Sequence, residues 1–133
     1  MSQTLTFESY QKLAERTADP HRFGTERIHV AALGLASEAG EVAGTIKKAA
    51  ERHQEIDGVY WNRVREEIGD CIWYLAELCT AIDMELADAA LSNLRKLGMR
   101  YPDGFTPEGS VARRDKSPYA ITPTEHLLRE DTP

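Results

Sequence analysis

Apolar residues in this chain recur at steps of three and four for most of its length. Between about Glu26 and His53 they fall at Ile28, Ala32, Leu35, Ala39, Val42 and Ile46, which is the spacing of one helix face and not of a strand. Thr25 stands in the N-cap position. After the turn signal Asp57-Gly58, a second series runs through Val64, Ile68, Cys71, Leu75, Leu78 and Ile82, predicting a helix from about Val59 to Ile82. A shorter helix is expected from about Phe7 to Thr17, N-capped by Thr6, with Phe7, Tyr10 and Leu13 facing inward and Asp19-Pro20 ending it. Asp83 can cap a fourth helix to about Met99, which Pro102 closes. From Tyr101 onward the character changes, and most of the six prolines lie there among serine, threonine and charges. The expectation is an all-α fold. A helical domain with a four-helix core covers residues 1–100, and an irregular, extended C-terminal arm covers 101–133.

Four amphipathic helices with many small residues bury little core alone, and both long stripes extend far enough to serve a second seam. A homo-oligomer, dimer or tetramer, is therefore expected to complete the core. The chain has 133 residues, 41% hydrophobic and 29% charged, the make-up of one ordinary globular domain. Its net charge of −6 argues against broad nucleic-acid or membrane-surface binding. No apolar run is long enough to span a bilayer, and the N-terminus lacks a charged start followed by an apolar stretch, so a cytoplasmic location is expected. Cys71 and Cys79 share one predicted helix at ~12 Å along its axis, too far for a disulfide, and read as buried thiols. His21, His29, His53 and His126 show no mutual ligand spacing. Trp61 and Trp73 read as core or interface residues.

Chemistry enters with the acids. Glu38-Ala39-Gly40-Glu41 and Glu67-Ile68-Gly69-Asp70, the latter preceded by Glu66, each place two carboxylates three residues apart on a long helix, hence on nearly one face. On a wheel of ~100° per residue, Glu38 and Glu67 border their apolar stripes, with Glu41 and Asp70 further round. Lys47 and Lys48 look instead like solvated charges. If the two helices pack antiparallel, four carboxylates converge, and a hard divalent cation suits such donors. Gly34, Gly40, Gly44 and Gly69 lie inside these helices, where each costs ~1 kcal/mol relative to alanine. Close approach of another chain segment, or room for a ligand, would offset that. The pattern alone leaves both a solvent-facing and a metal-binding reading open.

The run Leu33-Gly34-Leu35-Ala36-Ser37-Glu38-Ala39-Gly40-Glu41-Val42, followed by Glu66-Glu67-Ile68-Gly69-Asp70, resembles the MazG-like nucleotide pyrophosphohydrolases of the all-α NTP pyrophosphatase superfamily. Their signature is ExxE on one helix and EExxD on the next, and both halves stand here without a departure. The likeness extends to Tyr10 through Ala18 and to Arg100-Tyr101-Pro102-Asp103-Gly104-Phe105, covering roughly residues 5 to 114. It implies Mg²⁺-dependent hydrolysis of a (deoxy)nucleoside triphosphate to the monophosphate and pyrophosphate, with Mn²⁺ as a substitute, by a homo-oligomer. It implies Glu38, Glu41, Glu67 and Asp70 as metal ligands, with Glu66, the first acid of EExxD, as either a residue supporting the ligands from behind or a water-orienting base. All five become the catalytic acids.

A triphosphate brings about four negative charges to these carboxylates, so cations must bridge the two. No histidine, cysteine or serine nucleophile is suitably arranged. Asn93, Lys96 and Arg100 share one face of the fourth helix, as candidate phosphate or sugar contacts or as a basic C-terminal bias that suits the helix dipole. Asn93 and Lys96 match positions the family uses for substrate. Tyr101 is a candidate for stacking on a base, or for packing. Arg113, Arg114 and Lys116 read as a solvated cluster. A base pocket near the first helix or around Phe23 is an open expectation. Alternatives are a related pyrophosphate substrate, phosphoribosyl-ATP or an alarmone, or a catalytically silent helical interaction protein. A di-iron bundle would need Glu-x-x-His motifs, which are absent.

Overall fold

The computed structural model describes residues 4–53 and 57–116, and all regular structure among them is helical. His126 and the rest of the tail after Lys116 lie outside the described residues. The helices are α1 (Phe7–Glu15), α2 (Gly24–Glu51), α3 (Gly58–Ala81), α4 (Leu86–Arg100) and α5 (Pro107–Ala112), followed by a 3₁₀ turn at Arg114–Lys116. The helix α5 occupies part of the stretch expected as an extended arm. The chain divides into two compact units, one ending at Leu86 and the other beginning at Ala87. No described helix is long and apolar enough to cross a membrane.

In the first unit, Thr6 and Ser9 cap α1 reciprocally. The Thr6 hydroxyl accepts from the Ser9 amide at 3.1 Å, and the Thr6 amide donates to Ser9 Oγ at 2.9 Å. The N-cap of α2 is Phe23 and not Thr25, and Phe23 makes no side-chain capping bond. Gly24 opens that helix at φ +55, a turn for which glycine is suited. Asp57 caps α3, its Oδ1 accepting from the Tyr60 amide at 2.8 Å.

Asp83 does not cap α4. It sits in the left-handed region at φ +56, just past the end of α3. The Met84 amide reaches back to the Cys79 carbonyl at 2.9 Å and the Asp83 amide to the Thr80 carbonyl at 3.2 Å. This is a Schellman closure with Asp where Gly is usual. The first amide of α4 is met by a distant side chain instead: Leu86 N–H donates to Gln11 Oε1 at 2.7 Å. Gln11 Nε2 in turn donates to the Met84 carbonyl and the Thr80 hydroxyl, so one buried amide ties α1 to the end of α3.

The cores are small. Ala14, Ala76, Cys79 and Leu86 form one cluster with Tyr10 and Trp73 against it, and Ala49, Tyr60 and Val64 form another. Each predicted stripe splits in two. On α2, Ile28, Leu35 and Val42 are half-buried, while Ala32, Ala39 and Ile46 are exposed. On α3, Val64 is buried and Cys71 and Leu78 half-buried, while Ile68, Leu75 and Ile82 are exposed. Cys79 is buried, as its apolar neighbours favour, and Cys71 is intermediate. On α1 the inward residues are Gln11 and Ala14; Phe7 and Leu13 are exposed.

Candidate metal centre

The helices α2 and α3 run antiparallel, because partners rising along α2 fall along α3. Arg27 meets Glu77, Gly34 meets Tyr74 and Ala49 meets Tyr60. The Arg27–Glu77 pair is bidentate, Nε to Oε1 at 2.7 Å and Nη2 to Oε2 at 3.0 Å. Gly34 explains itself one turn before Glu38. A Cβ there would stand 2.1 Å from Tyr74 Cε1, so only glycine admits this ring. By contrast, a Cβ at Gly40, Gly44 or Gly69 meets nothing within 4 Å, and the close approach expected of those glycines is absent among the described residues. They face open space.

This register brings the two acidic motifs together. Glu38, Glu67 and Asp70 each offer a carboxylate oxygen, and these oxygens lie within 4.8 Å of one another. Glu38 and Glu67 are half-buried and Asp70 is exposed, as their places beside the stripes require. The Glu38 carboxyl is raised above its ordinary value, first by burial and then by the charges of Glu41, Asp70 and Glu67. Glu41 is therefore near enough to act on Glu38, although it lies outside the clustered three. Glu66 is exposed. Tyr10 of α1, expected only as a core residue, also belongs to these surroundings. Its phenol is raised by burial and then by the charge of Asp70. Its sequence signal was its apolar spacing, which speaks for packing and not for an acidic neighbour.

The remaining sequence candidates lie in the second unit. Asn93 and Lys96 are exposed on α4. Arg100 is engaged with Asp115, Nε to Oδ1 and Nη2 to Oδ2 both at 2.7 Å. Its guanidinium also stands 5.8 Å from the centre of the Tyr101 ring, and that ring packs on Phe105 at 5.3 Å. Arg113 approaches the same Asp115 at 3.6 Å.

Residues 27–105 match the MazG nucleotide pyrophosphohydrolase domain, a span that contains every acid of the cluster. A relative is the Gene 37 protein of Mycobacterium phage L5. It is 35% identical over 83 residues, which cover 59% of this chain and 70% of the phage protein. No solved structure matches the chain.

Proposed function

The chain belongs to the MazG nucleotide pyrophosphohydrolase family, and from that premise we propose that it hydrolyses a (deoxy)nucleoside triphosphate to the monophosphate and pyrophosphate in the presence of Mg²⁺. The observation that carries this reading is the convergence of Glu38, Glu67 and Asp70 within 4.8 Å. The donor set fits the cation: all ligand atoms are hard carboxylate oxygens, and among the described residues no ion pair involves these acids. Burial and then the neighbouring carboxylates raise the Glu38 carboxyl, and a divalent cation would relieve the repulsive part. When bound, Mg²⁺ supplies positive charge to the phosphates and acidity to water.

The chain's own groups do the rest. Glu38 and Glu41 from α2, with Glu67 and Asp70 from α3, would hold the cation, and the Gly34–Tyr74 contact sets how closely the two helices approach. Glu66, exposed beside them, orients the attacking water and accepts its proton. Tyr10 lies near enough to the exposed Asp70 for its phenol to feel that charge. Asn93 and Lys96 are assigned to substrate from the family motif. Exposed apolar side chains on both long helices, Leu33 and Ile46 on α2 and Ile68, Ile72 and Leu75 on α3, support a homo-oligomer that covers them. The test is a panel of ribo- and deoxyribonucleoside triphosphates with Mg²⁺, products separated by chromatography. Monophosphate plus pyrophosphate is expected; diphosphate plus phosphate, or no turnover across the panel, contradicts the reading.

A further inference from the structure

The acidic rows continue into a basic one. On α2, Glu38, Glu41, Thr45, Lys48 and Arg52 follow one another at steps of three and four, so they share a face. On α3, Asp70, Glu67 and Arg63 run back along the facing row. Lys48, exposed like Lys47, stands on this face. Thr45, Lys48, Arg52, Val59, Tyr60, Arg63 and Asp57 line a cavity of about 220 Å³ at the turn end of the α2–α3 hairpin. That is several times the ~30 Å³ share of a liquid water molecule, room for a small polyanion.

Among the described residues, three cations and one acid line this space, in a chain whose net charge is −6. The acid, Asp57, is already engaged, its Oδ1 accepting from the Tyr60 amide. Among the described residues, Lys48, Arg52 and Arg63 form no ion pair, whereas neighbouring Lys47 pairs with Glu51 at 3.5 Å. The first turn of the 24-residue helix α3 lies here too, adding the positive end of its dipole. Converging cations without an anion repel one another; a phosphate with several acceptor oxygens satisfies all three.

We propose that Thr45, Lys48, Arg52 and Arg63 form a second site that binds a polyphosphate group without metal. Arg63 stands one turn, ~6 Å along the axis, from Glu67. The site thus adjoins the carboxylates and is chemically their opposite. A nucleic acid fits poorly, because the feature is a bounded cavity on an acidic chain. The inference does not depend on the hydrolysis reading, since occupancy needs neither Mg²⁺ nor turnover.

The experiment is isothermal calorimetry at low salt with EDTA, titrating inorganic pyrophosphate and, separately, a nucleoside triphosphate. Under these conditions the carboxylates repel both. Wild-type protein should bind saturably. Lys48→Ala/Arg52→Ala should lose about tenfold or more in affinity, while Lys47→Ala and Glu38→Gln bind at least as well as wild type. Equal affinities for the two probes identify free pyrophosphate as the occupant; tighter nucleotide binding identifies a nucleotide's phosphate tail. Absence of saturable binding, wild-type affinity in the double variant, or an equal loss in Lys47→Ala overturns the proposal. Should the double variant melt differently from wild type, Arg63→Ala provides the same comparison from the other helix.

Discussion

Asp115 and Glu38 are both carboxylates drawn out of full solvent exposure, and they titrate in opposite directions. The Asp115 side chain is 0% exposed and chelated by Arg100. That pairing holds its carboxyl well below the usual range. Glu38 is half-buried, pairs with no cation among the described residues, and its carboxyl is raised. Glu77, like Asp115, is bidentate with an arginine, here Arg27. An acid that the fold has neutralised is part of the architecture. An acid that the fold has surrounded with further acids carries a repulsion that a bound cation would relieve.

The comparison breaks most visibly in activity. Asp70→Asn should reduce turnover by well over roughly a hundredfold, since changing even an indirect partner of a metal ligand costs 10–100-fold. Its metal-free melting temperature should stay the same or rise, because one of several like charges is gone. A variant that unfolds would place Asp70 with the architectural acids. Glu77→Ala should do the reverse. Leaving Arg27, which is 21% exposed, with only its 3.8 Å approach to Glu15 should destabilise by about 2–4 kcal/mol, near the lower end for a broken buried pair. Denaturant titration would show it; an unchanged midpoint would mean that the pair contributes nothing.

Gly34→Ala comes next. The new methyl collides with the Tyr74 ring, an overpacking worth about 1–3 kcal/mol, against a helix-propensity gain of ~1 kcal/mol. Net destabilisation of roughly 1 kcal/mol with weakened metal binding is expected from these terms. Gly44→Ala, where nothing lies within 4 Å, should instead stabilise the isolated chain, and a loss of stability there would reveal a partner surface. The gentlest probe is pH. The folded Asp115 carboxyl lies below its unfolded value of about 3.9, so the pair contributes fully above about pH 4 and is lost as pH falls from there. Amide protection in residues 87–116, taken relative to the intrinsic exchange rate at each pH, should fall on that acid limb, and Asp115→Asn should remove that fall. A slope that survives the substitution would assign it to another group.

Helix identity and the acidic motifs were legible because both rest on periodicity, and a step of three or four fixes a face whatever surrounds it. The antiparallel register then made Glu38, Glu67 and Asp70 meet. The segments between helices were less legible. Asp83 and Thr25 have the chemistry of N-caps, yet Asp83 closes the preceding helix and α2 starts one residue before Thr25, because Gly24 accepts a left-handed turn. Which half of each apolar stripe faces inward depends on how far α2 wraps α3, a tertiary property. Lys48 is exposed, as expected of a solvated charge, but its place beside Arg63 along one cavity is a tertiary property that helical spacing does not carry.

Calorimetric titration of the metal-free protein with Mg²⁺ tests the carboxylate cluster most directly. Wild type should bind saturably, Glu38→Gln should bind at least about tenfold more weakly, and Glu66→Gln should stay within a few-fold of wild type, because Glu66 lies outside the converging three. Equal Mg²⁺ affinity in wild type and Glu38→Gln, or no saturable binding at all, would contradict a metal centre at Glu38, Glu67 and Asp70.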